Sequence, residues 1–377
     1  MFLRILNHKK KQPFSPRPFL SQIQKILFIK LEGMGDSVYL LEIIHRLYLP
    51  YPSLKIDVLS TGGNPLFPLF KDSIGKSHKF GLKLLKPINP VSYFKTVKSI
   101  NKENYDIILD FTGMPVNIPL MLLFSKSYLV GFDDNVNLRK QIYDHIISID
   151  KSVHIFDNYL NLVKPFFSIS CEKEFTFFNQ NIGAADKGIN DSNPEFINLV
   201  LSSSGGGNMN RRLPLENSVL LINLIIKNFP GYKINLLGGP TDYPYLEGLC
   251  NSLINLNGLD LSGSTSVTDI VSVKKTKNIP EAMELLKKSY FNICIDSGLM
   301  HISSLVNPNT YCLFGYSSPA NSLPFNNIGY YAADIGCAPC SFYKISDCRY
   351  NLKCMDLINI NDVINDIKKI IKIKINK

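Results

Sequence analysis

The chain lacks an uninterrupted apolar stretch of the ~18 residues a spanning helix requires. The nearest run, Ile118 to Phe124, is stopped by Ser125-Lys126. The first twenty residues lack any acid but carry Arg4, Lys9, Lys10, Lys11 and Arg17. They also lack the order of a secretory signal, because Pro13, Pro16 and Pro18 interrupt the place where an apolar segment would follow the basic one. No RNA- or DNA-binding motif accompanies the net charge of +10, so nucleic acid is not an expected partner. Two nucleotide fingerprints are missing as well. G-x-G-x-x-G would need glycine at Val38, and no G-K-[ST] follows the glycines near residue 35.

What is present is a globular composition. Apolar residues make up 45% and charged residues 19% of 377, enough for two domains and a substantial core. The basic arm over residues 1–20 interleaves Phe2, Leu3, Ile5, Leu6, Phe14 and Phe19 with its cations. It reads either as a solvated tail or as a segment drawn to an anionic membrane surface. Eight cysteines occur, and Cys337, Cys340, Cys348 and Cys354 are crowded. Without a signal sequence a reducing, cytoplasmic setting is expected, peripheral to the inner face of the membrane if the arm binds lipid. The four thiols are read as free, with a metal site the alternative, since their spacing departs from a structural zinc pattern.

Strand and helix signals alternate in both halves. Lys25-Ile-Leu-Phe-Ile-Lys-Leu31 predicts a buried parallel strand, and Ser37, Leu40, Leu41, Ile44, Leu47 and Tyr48 predict one apolar face of the helix after it. Between them Gly33-Met-Gly-Asp36 makes a tight turn, placing Asp36 at the first helical turn beyond a strand's carboxyl end, where ligands enter open α/β sheets. Asp36 is open to two readings: a helix cap, or a ligand-facing carboxylate that Gly33 and Gly35 let a substrate approach. Asp110, ending the strand Tyr105–Asp110, is either a turn residue or a second polar group on that acceptor side.

A second series starts at Phe196 after an Asn/Gly/Ser-rich connection over residues 175–194. The predicted strands Phe196–Leu201, Lys233–Leu237, Asn292–Ile295 and Thr310–Phe314 end in small or polar residues. These include Ser202 and Ser203, Gly238 and Gly239, and Asp296-Ser297-Gly298. Pro214 is read as opening a helix to about Phe229. The loop Asp296–His301 opens another helix, whose free N–H groups suit a phosphate. Ser297 adds a hydroxyl, while His301 is open between a structural role and a diphosphate contact. Arg211 and Arg212 put cations at the same edge, as phosphate ligands or as surface charge.

These segments, in this order, resemble the family 9 glycosyltransferases, the ADP-heptose:lipopolysaccharide heptosyltransferases. Leu31-Glu-Gly-Met-Gly-Asp36 matches the family's L-G-x-x-G-D, and Asp106–Gly113 resembles D-x-V-x-D-L-Q-G. His154–Leu160 resembles H-x-x-D-R-Y-L, and Arg211-Arg-Leu-Pro214 stands where the family has K-R-W-P. Leu236–Pro240, Leu261–Thr265, Asp296–His301 and Phe314–Pro319 complete the series. The chain departs at Arg211 and Leu213, where the family has lysine and tryptophan; no tryptophan occurs anywhere.

The resemblance implies a GT-B fold: two Rossmann-like domains facing a cleft, with the last helix crossing back to the first domain. The implied organisation is an arm (1–20), an acceptor-side domain (21–185), a nucleotide-sugar domain (186–355) and a terminal amphipathic helix (356–377). It implies inverting, metal-independent transfer from a nucleotide sugar, most simply ADP-heptose, to a lipid-linked glycan, with no further cofactor. Carried over, Asp36 is the general base, Arg211 the phosphate cation, and Asp296, Ser297, Gly298 and His301 the donor loop. Two other classes stay in play: a non-catalytic nucleotide-sugar binder, and a nicotinamide-dependent oxidoreductase.

Overall fold

A computed structural model of the protein describes residues 22–31, 33–61, 65–75, 80–85, 98–112, 127–133, 143–150, 152–181, 195–203, 212–255, 266–332, 335–340, 348 and 350–375. The basic arm, Gly113 and Arg211 lie outside these residues. The chain divides into two compact units, residues 1–177 and 178–377.

The first unit is built on a six-stranded sheet. In chain order its elements are β1 (Lys25–Ile29), α1 (Met34–Tyr48), β2 (Lys55–Thr61), α2 (Leu66–Gly75), β3 (Phe80–Leu85), β4 (Ile107–Asp110), β5 (Tyr128–Asp133), β6 (His145–Ser148) and α3 (Ile155–Val163). α4 (Thr176–Asn181) spans the division. The strand order is β3-β2-β1-β4-β5-β6, and every pairing is parallel. Ile26 lies opposite both Ile56 and Ile107, so the apolar run of β1 is buried from either side, as a central parallel strand must be.

α1 departs from the single apolar face expected of it. Val38, Tyr39, Glu42, Ile43 and Arg46 are buried along with the predicted stripe, because α2 and α3 also pack on it. A helix covered this fully is part of the core rather than a lid on it.

The second unit repeats the plan. Its elements are β7 (Phe196–Val200), α5 (Leu215–Asn228), β8 (Lys233–Leu237), α6 (Tyr243–Asn255), α7 (Val267–Ile270), β9 (Val271–Lys274), α8 (Ile279–Lys288), β10 (Asn292–Ile295), α9 (Gly298–Val306), β11 (Thr310–Phe314), α10 (Pro319–Ser322), β12 (Ile328–Tyr331), α11 (Lys353–Asp356) and α12 (Ile360–Ile375). Pro214 is the residue before α5 rather than its first. The order β12-β11-β10-β7-β8-β9 is again wholly parallel. Read from the other edge it is the same permutation as the first sheet.

In each sheet the winding direction therefore reverses between the two central strands, β1/β4 and β7/β10. A doubly wound sheet opens a crevice for ligand at that point. The α/β reading of two Rossmann-like halves is what the topology shows.

The terminal helix α12 spends its apolar stripe within the second unit. Ile360, Val363, Ile364 and Ile367 join that unit's core, α5 packs beside them, and Tyr311 donates a hydrogen bond to Asp366 at 3.1 Å.

Candidate active site

In the first unit the site grows from the turn after β1. Gly33 caps α1 with φ 85°, in the left-handed region that favours glycine. A Cβ there would also stand 3.2 Å from Asp36 Oδ2 and 3.3 Å from Lys30 Nζ. Gly33 is thus favoured by its backbone, and a larger residue would crowd the charged pair beside it. Gly35 lies inside the first helical turn.

Asp36 does not cap α1. It is the helix's third residue, placed where the positive end of the helix favours an anion. Its Oδ2 accepts a hydrogen bond from Lys30 Nζ at 3.2 Å. The lysine side chain is only 6% exposed, whereas that of Asp36 is 41% exposed.

Tyr159, from α3, completes the cluster. The Lys30 ammonium lies 5.6 Å from the Tyr159 ring centroid. Burial alone would disfavour the charged lysine, but Tyr159 and the Asp36 carboxylate outweigh it, and the Lys30 pKa is raised. Burial likewise pushes the Tyr159 phenol up, so it stays a neutral hydroxyl.

Asp110 does not share the exposure of Asp36. It is fully buried; Oδ1 accepts from Thr112 N at 2.9 Å and Oδ2 from Tyr143 Oη at 2.5 Å. Thr112 Oγ1 in turn accepts from Leu31 N at 3.1 Å. Asp110 thus braces the ends of β1 and β4 through Thr112 and Tyr143. His154 is likewise internal: it caps α3, accepting from Phe156 N through Nδ1 at 3.1 Å, and meets Tyr39 edge-on.

In the second unit the ends of β7 and β8 are tied together. Ser202 Oγ donates to Asp242 Oδ1 at 2.6 Å, and Gly239 N donates to Asp242 Oδ2 at 2.9 Å. Gly238 is obligatory, since a Cβ on it would approach Asp242 Cβ to 2.8 Å. Arg212 stacks 4.3 Å from the Tyr245 ring centroid, and its Nε reaches Ser202 Oγ at 3.4 Å. Asp242 was not among the residues singled out from sequence. Its signal is the acid two residues after Gly239-Pro240, whose carboxylate reaches back to the Gly239 N–H at a short 3₁₀ turn.

After β10 the expected helix begins on cue. Ser297 caps α9, its Oγ accepting from Met300 N at 3.2 Å, and Gly298 is the first helical residue. Asp296 and Ser297 are buried at this end, and Ser203 is half-buried after β7. His301 is only 3% exposed, one turn into the helix, where packed side chains enclose it.

None of the four crowded cysteines is in a disulfide. Burial, together with the neighbouring Cys337, Cys348 and Cys340, raises the Cys354 thiol to about 11. Among the described residues no three His, Cys, Asp or Glu side chains are grouped to hold a metal ion.

Residues 93–346 match the model of glycosyltransferase family 9 (heptosyltransferase). The chain belongs to this family. It is therefore a glycosyltransferase, and the switch-point residues of its two sheets are the place to look for its chemistry. Asp36 lies ahead of the matched span. Lipopolysaccharide heptosyltransferase 1 of Campylobacter coli is 22% identical over 259 residues, 65% of this chain and 72% of that protein.

Among solved structures, E. coli heptosyltransferase WaaC with ADP superposes with a TM-score of 0.62 at 16% identity, over 93% of this chain and all of that one. E. coli ADP-heptose LPS heptosyltransferase II does so at 0.58 and 16%, over 91% and 99%. These likenesses show a shared fold. No described helix of this family 9 member is long and apolar enough to cross a membrane.

Proposed function

We infer that the protein transfers heptose from ADP-heptose, with inversion, to a hydroxyl of a lipid-linked glycan of the lipopolysaccharide type. The observation carrying this reading is Asp36: a half-exposed carboxylate on a first helical turn, at the switch point of its sheet and paired with a buried lysine. Asp36 removes the proton from the acceptor hydroxyl. The acceptor oxygen then bonds to the anomeric carbon from the face opposite the leaving group, and the bond to the diphosphate breaks, its electron pair departing with ADP. One displacement needs one base and no covalent intermediate.

The second unit supplies the donor half. The α9 N-terminus with Asp296, Ser297 and Gly298, and the Ser202–Gly239 edge held by Asp242, suit a nucleotide diphosphate. Arg211 meets the charge developing on the leaving group. Replacing Arg211 by alanine is expected to weaken ADP binding and lower turnover by about 10²-fold, the size typical of losing one group that stabilises developing charge. Titration calorimetry with ADP, beside a transfer assay, checks it; unchanged affinity and rate remove Arg211 from the site.

The function itself is tested by thermal shift against ADP-heptose, ADP, UDP, GDP and NAD, followed by analysis of the product's anomeric configuration. A ligand at 100 times its dissociation constant adds about 2.7 kcal/mol of stability, which is easily read. Stabilisation by ADP and ADP-heptose with an inverted glycoside product is the expected result. Stabilisation by NAD alone points to an oxidoreductase, and binding without turnover points to a carrier of nucleotide sugar.

A further inference from the structure

Lys30 is an anomaly of β1. It follows Ile26–Ile29, which are all fully buried, and it is nearly as buried itself. Taking an ammonium out of water costs several kcal/mol, and pairing seldom returns more than that. An apolar side chain would serve the core at least as well. What the lysine adds is direction: its Nζ donates to Asp36 Oδ2 at 3.2 Å, and the Tyr159 ring packs 5.6 Å from Nζ.

We propose that Lys30 is a positioning residue for transfer, orienting the Asp36 carboxylate toward the acceptor hydroxyl, with Tyr159 packed against the lysine in turn. The inference rests on Asp36 being the base. Among the described residues, the titratable groups given around Asp36 are Lys30 from the end of β1 and Tyr159 from α3, with Asp110 of β4 acting through Tyr159. Lys30 is the cation paired with the carboxylate. Gly33 lies beside the same pair: a Cβ there would stand 3.2 Å from Asp36 Oδ2 and 3.3 Å from Lys30 Nζ, so both ends would have to shift by a few tenths of an ångström.

The test is Lys30→Met beside Lys30→Arg, Tyr159→Phe and Asp36→Ala, reading kcat, donor KM, the pH–rate profile and Tm. Lys30→Met is expected to lower kcat by about 10- to 100-fold with donor KM nearly unchanged, as for an interaction that matters in the transition state. The acid limb of its profile should move up by about one pH unit, because a nearby cation favours the carboxylate and its removal releases that bias. Lys30→Arg, which restores the charge, should return the limb to its place.

If Lys30→Met keeps both rate and acid limb while Asp36→Ala is inactive, Lys30 is structural and the proposal is wrong, though the base stands. If Asp36→Ala itself turns over normally, the reading of the base fails, and this one with it. Should Lys30→Met not fold, Tyr159→Phe decides. It keeps the ring and removes the hydroxyl, and an unaltered rate and acid limb there overturns the proposal.

Discussion

Replacing Asp36 by alanine is expected to lower turnover by a factor of about 10²–10⁴, roughly 3–5 kcal/mol of barrier, while ADP binding persists. The reasoning is local. Asp36 stands in the first unit, and the groups suited to the nucleotide stand in the second. The substitution therefore removes the proton acceptor without touching the donor's ligands. It also leaves Lys30 buried without its carboxylate, so a modest fall in Tm should accompany the lost activity. Asp36→Asn separates the two effects: it keeps an acceptor for Lys30 but not a base, and should restore Tm without restoring turnover. A rapid Asp36→Ala enzyme would assign the chemistry elsewhere.

The second large effect is on stability. Arg46→Met is expected to destabilise the first unit by about 3–5 kcal/mol, the cost of leaving a buried charge unpaired. Glu42 and Arg46 lie on successive turns of α1 with side chains 0% and 2% exposed, joined at 2.9 Å. Arg46 also donates to the backbone oxygens of Ser170, Glu172 and Glu174, and Glu42 accepts from the backbone N–H groups of Thr176 and Phe177.

One ion pair thus fastens the whole 170–177 segment to α1. Without Arg46, three carbonyls lose a donor and Glu42 keeps only its N–H partners and the Thr176 hydroxyl. A drop of about 10 °C or more in the first unit's melting transition is expected by calorimetry. The paired change Glu42→Gln with Arg46→Met should recover part of the loss, since it removes both charges together. A melting curve matching the parent would show the pair to be dispensable.

How far the sequence led differs from residue to residue. The central strands β1, β7, β8, β10 and β11 were legible because strands buried on both faces are dominated by apolar residues. Strands β6, β9 and β12 lie at sheet edges and are largely half-buried or exposed, so their runs carry less signal. Asp36 stood out through its glycines, yet its position in α1 came from Gly33 taking the cap. Asp110 looked equivalent to Asp36 from its place at a strand end. Only Tyr143 and Thr112, brought in from other parts of the chain, showed it to be enclosed. Asn198, Asn235 and Asn292 align across β7, β8 and β10 and bond one another, a pairing that only the sheet register brings about.

The sequence alone determined the alternation of strand and helix, the turns at which ligands enter, and the family, because periodicity and short motifs are properties of neighbouring residues. Tertiary structure decided which carboxylate stays accessible and which cation holds it. Lys30, Gly33, Asp36 and Tyr159 converge only when β1 and α3 pack around the same turn, and the charge state and direction of a side chain depend on that convergence.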